Sequence, residues 1–81
     1  MTAIPLYGFI AGDSLGVLVL VDDQDTIANL AHQLQQAAAV RVAPRPRACA
    51  YAHGKPLDRD ATVKEAGLVA LDRVDIGPED L

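Results

Sequence analysis

At 81 residues the chain is one domain's worth of sequence, near the lower size at which a core holds without disulfides or metals. Its 51% apolar content is ample for a core, and the single Cys49 excludes an internal disulfide and fits a reducing, cytoplasmic setting. The net charge of −4 is divided: residues 1–40 carry four Asp and no Lys or Arg, while 41–81 hold all seven basic residues beside seven acids. Neither half is basic overall, so no nucleic-acid partner is expected.

Residues 3–10, AIPLYGFI, read as a first strand, with Pro5 and Gly8 marking it as irregular or as an edge. Ala11-Gly12-Asp13-Ser14 is a turn, and Leu15–Val21 is a second strand that should pair with the first as a hairpin. This apolar run is far too short to cross a bilayer. Pro5, Gly8 and Gly12 interrupt the N-terminus and no basic flank precedes them, so neither a signal peptide nor a membrane partner is expected.

Asp25–Ala38 carries the helical pattern: Ile27, Leu30, Ala31, Leu34 and Ala38 form one apolar stripe, with Asn29, His32, Gln33, Gln35 and Gln36 on the other side. Asp25 or Thr26 can cap it. Pro44 and Pro46 then exclude helix and favour an extended path. Ala48–His53 reads as a third strand, closed by a turn at Gly54-Lys55, and Pro56-Leu57 as a short fourth. Thr62-Val63-Lys64-Glu65 has the form of a capping box, Gly67 ends that helical turn, and Arg73–Ile76 makes a last strand before an acidic tail.

The order predicts an α+β roll with one helix across a mixed sheet of four to five strands. Gly12–Leu34, with DTIANL opening the helix, is similar to the first hairpin and helix of ubiquitin. HGKPLDRDATVKEAGL followed by RVDI is similar to its second half. The resemblance implies the β-grasp fold, as a single ubiquitin-like domain over 1–81. Ubiquitin and the related sulfur carriers act through a C-terminal Gly-Gly, whereas this sequence reads Gly77-Pro78-Glu79-Asp80-Leu81. Conjugation and sulfur transfer are therefore not expected. β-Grasp ferredoxins need four cysteines, which one cysteine cannot supply.

No catalytic set can be assembled. Cys49 reads as a small buried residue on a strand. His32 and His53 stand apart, without the spacing of a metal site, and read as solvated. Glu65 is engaged in capping. Asp58 and Asp60 lie in a turn. The chain is thus expected to bind no cofactor and to act through a protein partner.

Two features point to that partner. If Val17, Val19 and Val21 face the helix, Leu18 and Leu20 point away from it, beside Gly16. In the first strand Ile4, Leu6 and Ile10 share one parity and Tyr7 and Phe9 the other. Strands apolar on both faces imply a cover on both. Secondly, Arg41, Arg45 and Arg47 sit on a proline-stiffened arm, suited to bidentate pairing with carboxylates or simply to keeping a loop solvated. In the third strand the larger pair, Cys49 and Tyr51, is expected to face the core and Ala48, Ala50 and Ala52 to face outward, although the ubiquitin-like alignment favours the opposite parity.

Arg41-Val42-Ala43-Pro44-Arg45, Arg59–Leu68 and Val74-Asp75-Ile76, with the Ala-Ile-Pro start, resemble the toluene-4-monooxygenase system protein B family. The third strand departs from the family pattern in being rich in Ala, and the loop after it is shorter. The resemblance implies a ubiquitin-like, non-catalytic small subunit of a bacterial multicomponent diiron aromatic or alkene monooxygenase. It implies docking on the large hydroxylase subunit, which carries the diiron centre. One other reading stays open, a free-standing ubiquitin-like adaptor, similar to those of type VII secretion systems; a carrier modified at its C-terminus would need further residues ending in Gly-Gly.

Overall fold

A computed structural model describes residues 2–13, 15–43 and 48–78. Five strands and one helix follow in the order β1 (Ala3–Ile10), β2 (Gly16–Asp22), α1 (Ile27–Ala37), β3 (Ala48–Ala52), β4 (Lys55–Pro56) and β5 (Arg73–Pro78). The sheet runs β2-β1-β5-β3-β4, with β1 and β5 parallel and every other pair antiparallel. The mixed sheet and single crossing helix are those expected. The Pro44–Pro46 path and the last residues of the acidic tail, Glu79–Leu81, lie outside the described residues.

The β1–β2 turn is short, so the hairpin forms locally, and its register sets Leu6 opposite Val19 and Tyr7 opposite Leu18. Asp23 N–H donates to Thr2 O at 2.9 Å, which fixes the alternation along the pair. Ile4, Leu6 and Gly8 turn their backbone groups to β2, and Pro5, Tyr7 and Phe9 turn theirs to β5. Accordingly Tyr7 N–H donates to Asp72 O at 3.0 Å and Leu71 N–H to Pro5 O at 2.6 Å.

This corrects one expectation. Pro5 and Gly8 do not mark an edge, because β1 lies inside the sheet between β2 and β5. The N–H that Pro5 lacks would point towards β5 before that strand begins pairing, at Tyr7 opposite Arg73. Gly8 is required by the helix instead. A Cβ there would lie 2.7 Å from Leu34 Cδ1 and 2.9 Å from Leu34 Cγ.

The helix begins where Thr26 Oγ1 accepts from Asn29 N–H at 3.1 Å, so Thr26 is the cap. Asp25 closes the preceding turn, its carboxylate accepting from Asp22 N–H at 3.3 Å. The first free N–H groups of the helix, those of Ile27 and Ala28, donate to Ala61 O and Arg59 O at 2.8 and 3.0 Å. Its apolar stripe of Ile27, Leu30, Ala31 and Leu34 is buried against the sheet. Gln35, expected on the polar side, is buried too. It stands one turn from both Ala31 and Ala38, at the margin of the stripe.

Leu6, Ile10, Val21, Val74 and Ile76 meet the helix from the sheet side, and Val63 and Leu68 close the core from the 62–68 turn. The capping box there is formed as read: Glu65 Oε1 accepts from Thr62 N–H at 2.9 Å, and Thr62 Oγ1 from Glu65 N–H at 3.0 Å. Thr62→Ala is expected to cost about 1 kcal/mol in urea or thermal unfolding. An unchanged midpoint would mean that the turn is held by the burial of Val63 and Leu68 alone.

The third strand faces opposite to the size-based expectation. Ala48, Ala50 and Ala52 are buried, and Cys49 and Tyr51 are only half-buried on the outer face. The pairing dictates this: Ala50 lies opposite core Ile76, and Tyr51 opposite Asp75, and directly paired residues share a face. Residues 53–54, not 54–55, make the turn to β4, with His53 and Gly54 both at positive φ (54° and 77°), as a two-residue hairpin requires.

Candidate docking surface

One face of the sheet is covered by α1; the other has no covering element among the described residues. Its side chains follow from the register. Leu20 lies opposite Pro5; Leu18, Tyr7 and Arg73 make a second row; Gly16, Phe9, Asp75, Tyr51 and Pro56 make a third.

The β2–β1 half of this face is apolar and bare. Leu18 is 58%, Leu20 66% and Tyr7 42% exposed, while Val21 on the helix side is buried. The alternation within VLVLV therefore places the two leucines outward, as the sequence reading required. Val17 and Val19 point to the helix side but are only partly buried. At the entry to β5, Leu71 adds to this half: it is 59% exposed, and its N–H reaches Pro5. Its φ of +67° costs an L-residue about 1 kcal/mol and is held by a closed loop, in which Val69 N–H donates to Asp72 Oδ2 and Asp72 N–H to Val69 O, both at 3.0 Å.

The β5–β3 half is polar and aromatic. The Arg73 guanidinium stacks over the Phe9 ring at 4.2 Å from its centroid. The same group donates from Nη2 to Asp75 Oδ1 at 3.0 Å and from Nε at 3.1 Å. Phe9 in turn lies over Gly16, where a Cβ would come within 2.8 Å of the ring. Tyr51 Oη donates to Pro78 O at 2.7 Å. Together with Gly12 and Asp13, these side chains border an open depression of about 700 Å3. Sequence reasoning missed this cluster. Arg73 and Asp75 alternate visibly on one strand, but only the parallel β1–β5 pairing brings them to Phe9.

The arginines are placed unequally. Arg41 is exposed just after the helix, and its Nε donates to Asp13 Oδ2 at 2.8 Å, an ion pair within the chain. Arg45 and Arg47 lie outside the described residues. His53 Nε2 is 3.7 Å from Asp72 Oδ2, and His32 is exposed on the helix. Among the described residues no three His, Cys, Asp or Glu side chains gather as a metal site would need. No helix there is long and apolar enough to cross a membrane.

A family model described as toluene-4-monooxygenase system protein B matches residues 3–77. A chain of the solved toluene 4-monooxygenase HD complex with the inhibitor 4-bromobenzoate is similar at 29% identity and a TM-score of 0.87, over 96% of this chain and 100% of that one. Ubiquitin from Caldiarchaeum subterraneum superposes with a TM-score of 0.77 at 14% identity, over 99% and 98% of the two chains. A de novo design based on ubiquitin does so at 0.81 and 14%, over 98% and 92%. The last two likenesses bear on fold alone, which is the ubiquitin-like β-grasp. No curated protein sequence matches the chain.

Proposed function

Because the chain belongs to the toluene-4-monooxygenase system protein B family, we propose that it is the small, non-catalytic subunit of a multicomponent diiron monooxygenase. It docks on the large hydroxylase subunit, which holds the diiron centre, and contributes no iron ligand of its own. The observation that supports docking is the bare apolar half of the outer sheet face, centred on Leu18 and Leu20. These two leucines are the anchors. Arg45 and Arg47 pair with carboxylates of the large subunit, and Arg41 joins them only by sharing its guanidinium with Asp13. The family match favours this reading over a free-standing ubiquitin-like adaptor, which the fold alone would equally permit.

Leu18→Asp or Leu20→Asp should weaken binding to the cognate large subunit about 100-fold, the effect of losing a central apolar anchor. The unfolding midpoint should hardly move, since both side chains are exposed in the free chain. Gln36→Lys, on the exposed side of the helix, is the control. Copurification or titration calorimetry reads the result. Variants that bind like the wild type would remove the outer face from the interface.

A further inference from the structure

The edge of β2 is a second binding feature, separate from the face beside it. Backbone groups of Val17, Val19 and Val21 turn to β1, so those of Gly16, Leu18 and Leu20 turn to the open edge of the sheet. Asp22 also turns outward, but its N–H and C=O are taken by Asp25 at 3.3 and 2.9 Å. Among the described residues, nothing accepts from or donates to the outward groups of Leu18 and Leu20. Edge strands are ordinarily guarded by Lys, by Pro, by a bulge or by brevity. β2 runs for seven residues without Lys, Arg, Pro or a register break, and carries one charge, Asp22, at its end.

The sequence of that edge is a palindrome, Val17-Leu18-Val19-Leu20-Val21. We propose that β2 pairs antiparallel with β2 of a second copy of this chain, about a two-fold axis at Val19, joining two five-stranded sheets into one.

The register is self-consistent at every position. Leu18 meets the partner's Leu20 and the two exchange both N–H···O bonds, twice over by symmetry. Val19 meets the partner's Val19 as the closely spaced pair between those bonds. Val17, only partly covered on the helix side, meets the partner's Val21, which is already buried. Asp22 falls opposite Gly16, so no like charges oppose one another. A slip of one residue would leave the outward groups facing none and would move each leucine to the wrong face. The contact is isologous, so it closes as a dimer and does not propagate. One short strand per copy is a small interface, which makes the dimer reversible.

This goes beyond the docking role, since it concerns the chain before it meets a larger subunit. The two uses exclude each other if both cover Leu18 and Leu20.

The test is sedimentation equilibrium of the intact wild-type chain from micromolar to millimolar concentration, with amide exchange followed by NMR. A monomer–dimer equilibrium is expected in which the Leu18 and Leu20 amides become protected as concentration rises, while Val17 and Val19 are protected throughout. Leu20→Pro removes the outward donor without touching the β1 ladder, and should weaken dimerisation about 30-fold, or about 2 kcal/mol for the two bonds lost. Leu18→Lys should do the same by placing a charge on the edge, and it carries the test if Leu20→Pro does not fold by circular dichroism. Leu71→Ser, on the outer face but away from the edge, should leave the equilibrium as it is. A chain monomeric at millimolar concentration overturns the proposal. So does a dimer that survives Leu18→Lys, or one that Leu71→Ser weakens equally, which would mean stacking of faces.

Discussion

Gly8→Val should lower the unfolding free energy by about 3 kcal/mol, at the upper end of what overpacking usually costs. For a domain of this size that corresponds to a fall of roughly 12–24 °C in Tm. The cause is local. α1 crosses β1 at Gly8, and a Cβ there would sit within 3 Å of the Leu34 Cγ and Cδ1 atoms. Leu34 has no exposed surface and cannot swing away. The strand is also held on both sides, by β2 and by β5, so the backbone cannot yield either. Leu34→Ala alone should cost about 2–5 kcal/mol through the cavity it leaves. In the double variant the two penalties should fall well short of their sum, since the added valine occupies the vacated volume. Additive penalties in chemical denaturation would show that Gly8 is needed for some other reason.

The second large effect concerns β3. Ala50→Leu should destabilise by about 1–3 kcal/mol, because Ala50 is buried on the helix side of the sheet, beside the equally buried Ile76. Cys49→Leu, the same increase in bulk one residue away, should stay within about 0.5 kcal/mol of wild type, as surface changes do. Urea unfolding of the two variants is a direct assay of which way the strand faces. Equal destabilisation by both would mean that the outer side of β3 is covered as well.

That strand shows where sequence reasoning runs out. In β2, valines and leucines alternate over five residues beside a long amphipathic helix, and the pattern alone is sufficient to assign their faces. The Thr62–Glu65 box likewise carries its own geometry, because both hydrogen bonds lie within four residues. Ala48–Ala52 offers no such contrast. Ranking by size sends Cys49 and Tyr51 inward, yet the space under the helix is already filled by Leu30, Leu34 and Ile76, and only alanine fits. Pro5 and Gly8 misled for the same reason: their local meaning is that of an edge, whereas their actual causes are a strand that starts late and a helix that comes close. The docking face was half legible. Leu18 and Leu20 followed from alternation within one segment, but the Phe9–Arg73–Asp75 cluster needs residues about sixty-five apart brought side by side.

The position of β5 bears on how the chain is made. This strand is the last of the five in chain order, yet among the described residues it is the one that joins the β2–β1 pair to the β3–β4 pair within the sheet. Without residues 73–78, β1 exposes its inner margin as freely as β2 exposes its outer one, and the first half of the chain meets the second only through α1 and the bonds that link residues 23–28 to 59–64. Such long-range closure is slow and prone to mispairing. Truncation before Arg73 would therefore leave the sheet as two unjoined pairs of strands under one helix, not a smaller stable domain.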